Sequence, residues 1–477
     1  MRPSSSPSEP SGAPGSSPEP TGAGGLFGPL FGRGGAADAV ADAAWVRAML
    51  DAEVALARAS ADAGRLDHAH AERIAAAADG LRPDPDELGR AAAAGAGNPV
   101  PALVRALTAA VDDGTAEGRA AAGAVHRGAT SQDVLDTAAM LVTRRALDAT
   151  LADVAGAADA AAALARAHRD TPIVGRTLLQ HAVPTTFGLK AAGWLVGLDE
   201  AAAELRRARE DAVAAQLGGA AGTLSALGAD GIAVHAAYAR ELGLPEPTLP
   251  WHGVRVRPAR IAGAVGVLGS VVAKVAGDVV LLAQTDVGEV RETDPAGARG
   301  GSSTMPHKHN PVAAITARAC AIRVPGLVAT LLAAGAHEHE RAAGPWQAEW
   351  ETLAELLRVA GAAAAWLRDA LVGLRVDPER MRENLARTGG LLLTEAVTGA
   401  LADAGLGRLQ AHDLVTAAVG RAVEGGVDLR DALLADEAIA GALGAAGIDR
   451  ALDPAGHVGA AGELVDRALV AHEAAAL

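Results

Sequence analysis

Five segments of the chain, 132–168, 184–217, 258–290, 310–336 and 346–372, carry apolar residues at helical spacing, each for more than 25 residues. Gly- or Pro-marked loops separate them. Periodicity of that length leaves little besides a bundle of long helices packed side by side. The filling residues narrow the choice further: hydrophobic residues make up 50% of the chain but aromatics only 2%, with alanine, leucine and valine in their place. Alanine is the best helix former and offers almost no side chain to pack, so the helices must approach closely. An all-α fold is predicted.

By length alone, 477 residues allow two to four domains. Residues 1–35, rich in Ser, Pro and Gly without a basic or sustained apolar region, read as a disordered tail and not a secretory signal. A cytoplasmic location is therefore expected. Residues 36–125 carry short helical patterns broken at Gly80, at Pro83 and Pro85, and from Gly95 to Pro101, as in a small leading domain. The long segments fill a central domain, 126–370, and Pro378 and the Gly389-Gly390 pair mark a last domain of shorter helices, 371–477. No solenoid repeat is visible.

Residues 261–285 are apolar enough to raise the question of a membrane helix. Lys274 and Asp278, four apart within them, fit a helix buried by protein instead, and no membrane partner is expected. Long alanine-rich helices that are apolar around much of their circumference bury too little as monomers, which predicts an oligomer. A net charge of −15 argues against nucleic acid as a partner, though not against a basic pocket for a small anion. The single cysteine, Cys320, excludes an intrachain disulfide or a cysteine metal cluster, and its apolar helical setting points to inert burial.

Residues 300–311 read Gly-Gly-Ser-Ser-Thr-Met-Pro-His-Lys-His-Asn-Pro. The chain has three lysines (Lys190, Lys274, Lys308), three asparagines (Asn98, Asn310, Asn384) and five methionines, and this loop takes one of each. Where arginine is the general cation, a retained lysine supplies a compact point charge that a planar guanidinium cannot. The Gly, Ser and Pro content is also ordinary loop composition, so the residues alone leave both readings open.

Every fixed position of G-S-S-x-M-P-x-K-x-N-P is met from Gly301 to Pro311, and by it the chain resembles the fumarase/aspartase superfamily. The resemblance implies a three-domain all-α fold whose long-helix bundle tetramerises into a twenty-helix core. Each active site then takes loops from three subunits. It further implies that Ser302 handles a carbon-bound proton, with Lys308 and the glycine-loop amides stabilising its alkoxide. Ser303, Met305 and Asn310 would line the substrate. No metal or organic cofactor is implied.

Three other stretches extend the likeness. His126-Arg-Gly-Ala-Thr-Ser-Gln-Asp133 places Thr130 and Ser131 at a helix start, a pattern that serves equally as a plain N-cap or as an anion site. It resembles the superfamily's H-x-G-x-T-S-x-D, whose Thr-Ser pair holds a substrate carboxylate. Gly175-Arg-Thr-Leu-Leu-Gln-His181 resembles the G-R-T-H segment, bringing in Arg176, Gln180 and His181, the last as auxiliary acid or core histidine. Leu178 stands where most of the lyases have histidine, and Asn98 stands where adenylosuccinate lyases carry another. Without those proton donors an amine-expelling elimination is disfavoured. A carboxylate, with a pKa near ~4, leaves unaided.

The third stretch runs His337-Glu-His-Glu-Arg-Ala-Ala-Gly-Pro-Trp-Gln-Ala-Glu-Trp-Glu-Thr-Leu353. Alternate histidines point to different helix faces, so no metal site is expected. The stretch resembles the E-R-x-x-G-x-W-x-A-E-W-E-T-L segment of the 3-carboxymuconate cycloisomerase branch, which implies lactonisation of a small anionic tricarboxylate. Arg341, with His126, Arg127 and Arg176, would supply positive charge. Two rivals remain: an amine-eliminating lyase, and a silent helical tetramer. Gly253 and Val254 stand where that branch has a Thr-Gln pair, which bears on specificity. The glycine-rich stretch Pro295 to Ser303 is predicted to close over substrate.

Overall fold

The computed structural model describes residues 25–294, 299–301, 305 and 307–475. The five periodic segments form the helices Ser131–Ala167, Phe187–Asp211, Val256–Leu282, Val312–Ala334 and Pro345–Val372. Val312–Ala334 packs against both Val256–Leu282 and Pro345–Val372, and Ser131–Ala167 packs against Phe187–Asp211 and Pro345–Val372. The small residues allow close approach: a Cβ on Gly269 would lie 2.8 Å from Val324 Cγ1 on the neighbouring helix.

Three boundaries differ from the periodicity, one of them at the third segment, whose helix ends at Leu282 and not at 290. The second helix stops at Asp211, and residues 212–219 continue as buried irregular chain. An apolar run buried on all sides has no face to reveal its period, so helix and extended chain look alike in sequence. Residues 184–186 are likewise not helix but the end of a strand: β1 (Pro172–Thr177) and β2 (Gln180–Thr186) form an antiparallel hairpin. A second ribbon pairs β3 (Val290–Glu292) with β4 (Leu374–Val376). The fold is all-α with these two additions.

Residues 25–35, read above as part of the tail, instead lie on the bundle. The Leu30 carbonyl accepts from Trp366 Nε1 at 2.8 Å. Near the other end, residues 397–448 build a separate small core around Val397, Leu401, Leu433 and Ile448. The last helix, Ala461–Ala475, returns to pack on Phe187–Asp211. Cys320 is fully buried, and burial pushes its thiol up to about 11.

The two most apolar long helices are long and apolar enough to cross a membrane, yet both are bundle members. Only 44% of the most apolar stretch of Val256–Leu282 and 33% of that of Val312–Ala334 is buried within one chain. Ile315, Ile322 and Leu332 stand exposed on the second of them.

Candidate active site

The Thr130–Ser131 turn opens the longest helix, and Asp133 holds it in shape. Asp133 Oδ2 accepts from the Thr130 N–H at 2.8 Å, a first-turn carboxylate satisfying a free helix-start amide. The same buried carboxylate accepts from Gly218 N at 2.8 Å and Gly219 N at 2.9 Å and meets His252 Nε2 at 2.7 Å. Two segments distant in sequence are thus tied to one helix start. Arg341 reaches the same place, donating to Gln132 Oε1 at 3.0 Å and the Ala220 carbonyl at 2.7 Å.

The turn leading in is left-handed at His126 (φ 60°) and Gly128 (φ 90°). Histidine tolerates that region, but a Cβ at position 128 would lie 2.5 Å from Leu227 Cδ2. Gly128→Ala is expected to destabilise the protein by about 1–3 kcal/mol through overpacking and backbone strain. A thermal melt checks this, and an unchanged Tm would show that the turn yields without cost.

Beneath the turn lies a buried charged knot. Arg255 donates to both Asp136 oxygens at 2.7 and 3.0 Å and to Glu349 Oε1 at 2.9 Å, and its guanidinium lies 4.6 Å from the Trp251 ring centroid. Trp346 Nε1 donates to Asp136 at 3.0 Å, and His337 bridges Glu349 (3.1 Å) and the His252 carbonyl (3.0 Å). Burial opposes the charge on Arg255, but Asp136 and Glu349 outweigh it and raise its pKa. The 337–353 stretch therefore does two things: His337, Trp346 and Glu349 build the knot, while Arg341 faces the turn. His339 is exposed whereas the His337 side chain is buried, and among the described residues no group of three His, Cys, Asp or Glu side chains is placed for a metal ion.

The glycine loop lies at the opposite end of the bundle. The Asn310 N–H donates to the Gly300 carbonyl at 2.8 Å, and Gly301 bridges His309. At Gly300 (φ 90°) a Cβ would sit 2.9 Å from the Asn310 carbonyl, so this neck requires glycine. Glu292 accepts from Ala313 N at 2.9 Å and Ala314 N at 3.0 Å, capping the helix that follows. Lys308, Met305 and Asn310 line a cleft of about 920 Å³ with Arg291 and Arg375. Those two arginines, absent from the sequence reading, are direct partners across the β3–β4 ribbon. Only the register brings them together. Ser302 and Ser303, and most of the stretch expected to close over substrate, lie outside the described residues.

The hairpin places Arg176 in β1 opposite His181 in β2, with Gln180 beside the tip. Arg176 was read as a charge for substrate, but both its terminal nitrogens are engaged by the buried Glu289, at 2.9 and 2.8 Å. Asn384 joins the same carboxylate at 2.8 Å, so Arg176 braces the fold. His181 is exposed and not a core histidine. Partial burial first, then the charges of Arg176 and Arg387, hold its pKa below the usual value. Leu178 and Leu179 form the tip, both left-handed and 96% and 74% exposed. Asn98 is turned to local work, accepting from Val100 N at 3.2 Å. Arg127 is exposed beside His126.

Within one chain these groups fall into two sets. Lys308 and Asn310 precede the Val312–Ala334 helix, whereas His337 and Arg341, with Thr130 and Ser131, adjoin its far end. Twenty-three residues separate the two ends, roughly 34 Å of helix.

Residues 36–326 match the family model described as Lyase, and residues 390–468 match that of the adenylosuccinate lyase C-terminus. The chain is 47% identical to the 3-carboxy-cis,cis-muconate cycloisomerase of Bradyrhizobium diazoefficiens, over 93% of this chain and 97% of that protein. It is also 47% identical to the nitrosuccinate lyase of Streptomyces davaonensis, over 90% of this chain and 91% of that one. The crystal structure of the 3-carboxy-cis,cis-muconate lactonizing enzyme from Pseudomonas putida matches with a TM-score of 0.89 at 41% identity, covering 95% of this chain and all of the other.

Proposed function

The chain belongs to the lyase family of the fumarase/aspartase superfamily, and from that membership we propose that it is a cofactor-independent cycloisomerase closing 3-carboxy-cis,cis-muconate to 4-carboxymuconolactone. The observation that carries this choice is the loss of proton donors at two positions: Asn98 caps a turn and Leu178 is a bare hairpin tip. A reaction run without an acid for the leaving group needs one that is already a stable anion. An internal carboxylate is such a group.

In the forward direction one substrate carboxylate forms a C–O bond to an alkene carbon, and the π electrons move towards the neighbouring carboxylate as an enediolate. Ser302 delivers a proton to the carbon between them and regains one from solvent. Lys308 and the loop amides stabilise the alkoxide and the developing charge, the kind of preorganised electrostatics that dominates such reactions. Thr130, Ser131, Asn310 and Arg341 orient carboxylates, with Gln180, Ser303 and Met305 against the substrate.

The working form in this reading is a cytoplasmic homotetramer with a leading, a central and a C-terminal domain in each chain, and with sites shared by three subunits. Two observations support it. The two sets of site residues lie a helix length apart in one chain, and the most apolar helices leave Ile315, Ile322 and Leu332 uncovered.

Position 253 favours a second reading. A Cβ on Gly253 would lie 2.6 Å from the His339 carbonyl, so the threonine usual in the cycloisomerase branch does not fit here without a shift. Nitrite, like a carboxylate, is a weakly basic anion that leaves without an acid. The nitrosuccinate lyase likeness therefore suits the same missing donors. Offering each substrate to the purified protein separates the two. Loss of the conjugated-diene ultraviolet absorbance of 3-carboxymuconate is expected; nitrite released from nitrosuccinate with no loss of the diene would overturn the first reading.

A further inference from the structure

Glu53 belongs to neither the glycine loop nor the Thr130–Ser131 turn. It sits in the Asp42–Asp62 helix with a fully buried side chain, and its Oε1 lies 2.6 Å from Nδ1 of His126. Its other oxygen, Oε2, is buried without a hydrogen-bond partner. His126 is thus the carboxylate's one hydrogen-bond partner among the described residues. To reach it, His126 holds a left-handed backbone, with its side chain 22% exposed. Thr130, the residue before the helix, follows four positions later.

We propose that Glu53 is a positioning residue that fixes His126 as a cation beside the Thr130–Ser131 turn, where the ring receives one carboxylate of an anionic substrate. Taking Nδ1 sets the ring's orientation and leaves Nε2 as the nitrogen that donates to the ligand. A buried carboxylate with a single polar partner strongly favours a charged partner, because an uncompensated buried charge is costly. The titratable groups acting on the ring agree in sign. They are Glu53 from the Asp42–Asp62 helix and Asp133 from the Ser131–Ala167 helix, both acidic. Burial pulls the imidazole pKa down, but the hydrogen bond and charge of Glu53 and the charge of Asp133 outweigh it, and the net shift is upward. The ring therefore holds its charge to higher pH than a free imidazole does. For a tricarboxylate the inference rests on the cycloisomerase reading, although a dicarboxylate would meet the same cation.

Binding without turnover tests the pair. The full-length oligomer is titrated calorimetrically with propane-1,2,3-tricarboxylate between about pH 6 and pH 9, as wild type, Glu53→Gln, Glu53→Asp and His126→Gln. Wild-type affinity is expected to fall as pH rises through the raised histidine pKa. Glu53→Gln should move that fall to lower pH and weaken binding about tenfold near neutrality, with a matching rise in KM that exceeds any fall in kcat. Glu53→Asp should keep part of the shift, and His126→Gln should flatten the pH dependence. An unmoved profile in Glu53→Gln at unchanged Tm and oligomer mass would make Glu53 a mere tether and overturn the proposal. Should Glu53→Gln fail to fold, a pH dependence that survives in His126→Gln overturns it instead. Histidine-dependent binding by a protein that does not turn over 3-carboxymuconate supports the pair and rejects only the substrate.

Discussion

Alanine in place of Ser302 is expected to lower kcat by about 10²–10⁴-fold, the range for loss of a positioned proton-transfer group, with the oligomer intact. No other hydroxyl is proposed to reach the carbon that takes the proton, and the remaining binding groups still hold the carboxylates, so KM should change little. The shared-site reading adds a second result. Ser302 belongs in sequence to the loop that precedes the Val312–Ala334 helix, whereas Arg341 adjoins the far end of that helix. When the two inactive variants, Ser302→Ala and Arg341→Ala, are co-expressed, mixed oligomers should contain some sites free of both substitutions, and activity should reappear. Steady-state rates on the purified mixture check this. Normal turnover by Ser302→Ala would remove its assigned role, and absence of recovery in the mixture would argue for sites built within one chain.

Asp136→Ala should unfold the protein at much lower denaturant. Asp136 takes two hydrogen bonds from Arg255, one from Trp346 and one from Gln132, all in the interior. Removing it leaves a buried guanidinium short of half its counter-charge, and breaking such a pair costs about 3–5 kcal/mol. Attraction within the knot is largely offset by the desolvation of its members. Replacing Arg255, Asp136 and Glu349 together by apolar residues of similar volume should therefore recover most of that loss. Urea midpoints for the single and triple variants test the pair of statements. A single variant as stable as the parent would mean that water reaches Arg255. The triple variant should still bind substrate poorly, because His337, Gln132 and Arg341 depend on the knot for their positions.

Much of the architecture was readable from local pattern. Helical period, breaks at Gly and Pro, and alanine content predict the bundle because each is a property of residues within one turn of one another. The glycine loop and the H-x-G-x-T-S-x-D turn were legible for the same reason: each is a contiguous string. Legibility failed where burial removed the pattern, as in residues 212–219, and where a pair spans many residues. Arg176 looked like a free cation until the fold brought Glu289 to it, 113 positions away. Glu53 carried no signal at all, since nothing near it in sequence marks it as the partner of His126, 73 positions on.

From its residues alone this chain is determined to be a long-helix bundle of the fumarase/aspartase kind, because short-range periodicity and contiguous motifs survive without coordinates. Tertiary structure alone decided which charges are spent on the fold: Arg176 on Glu289, and Arg255 on Asp136 and Glu349. The reason is physical. A charged side chain in a sequence has many possible partners, and only packing that excludes water selects one of them by making every other arrangement an unpaired buried charge.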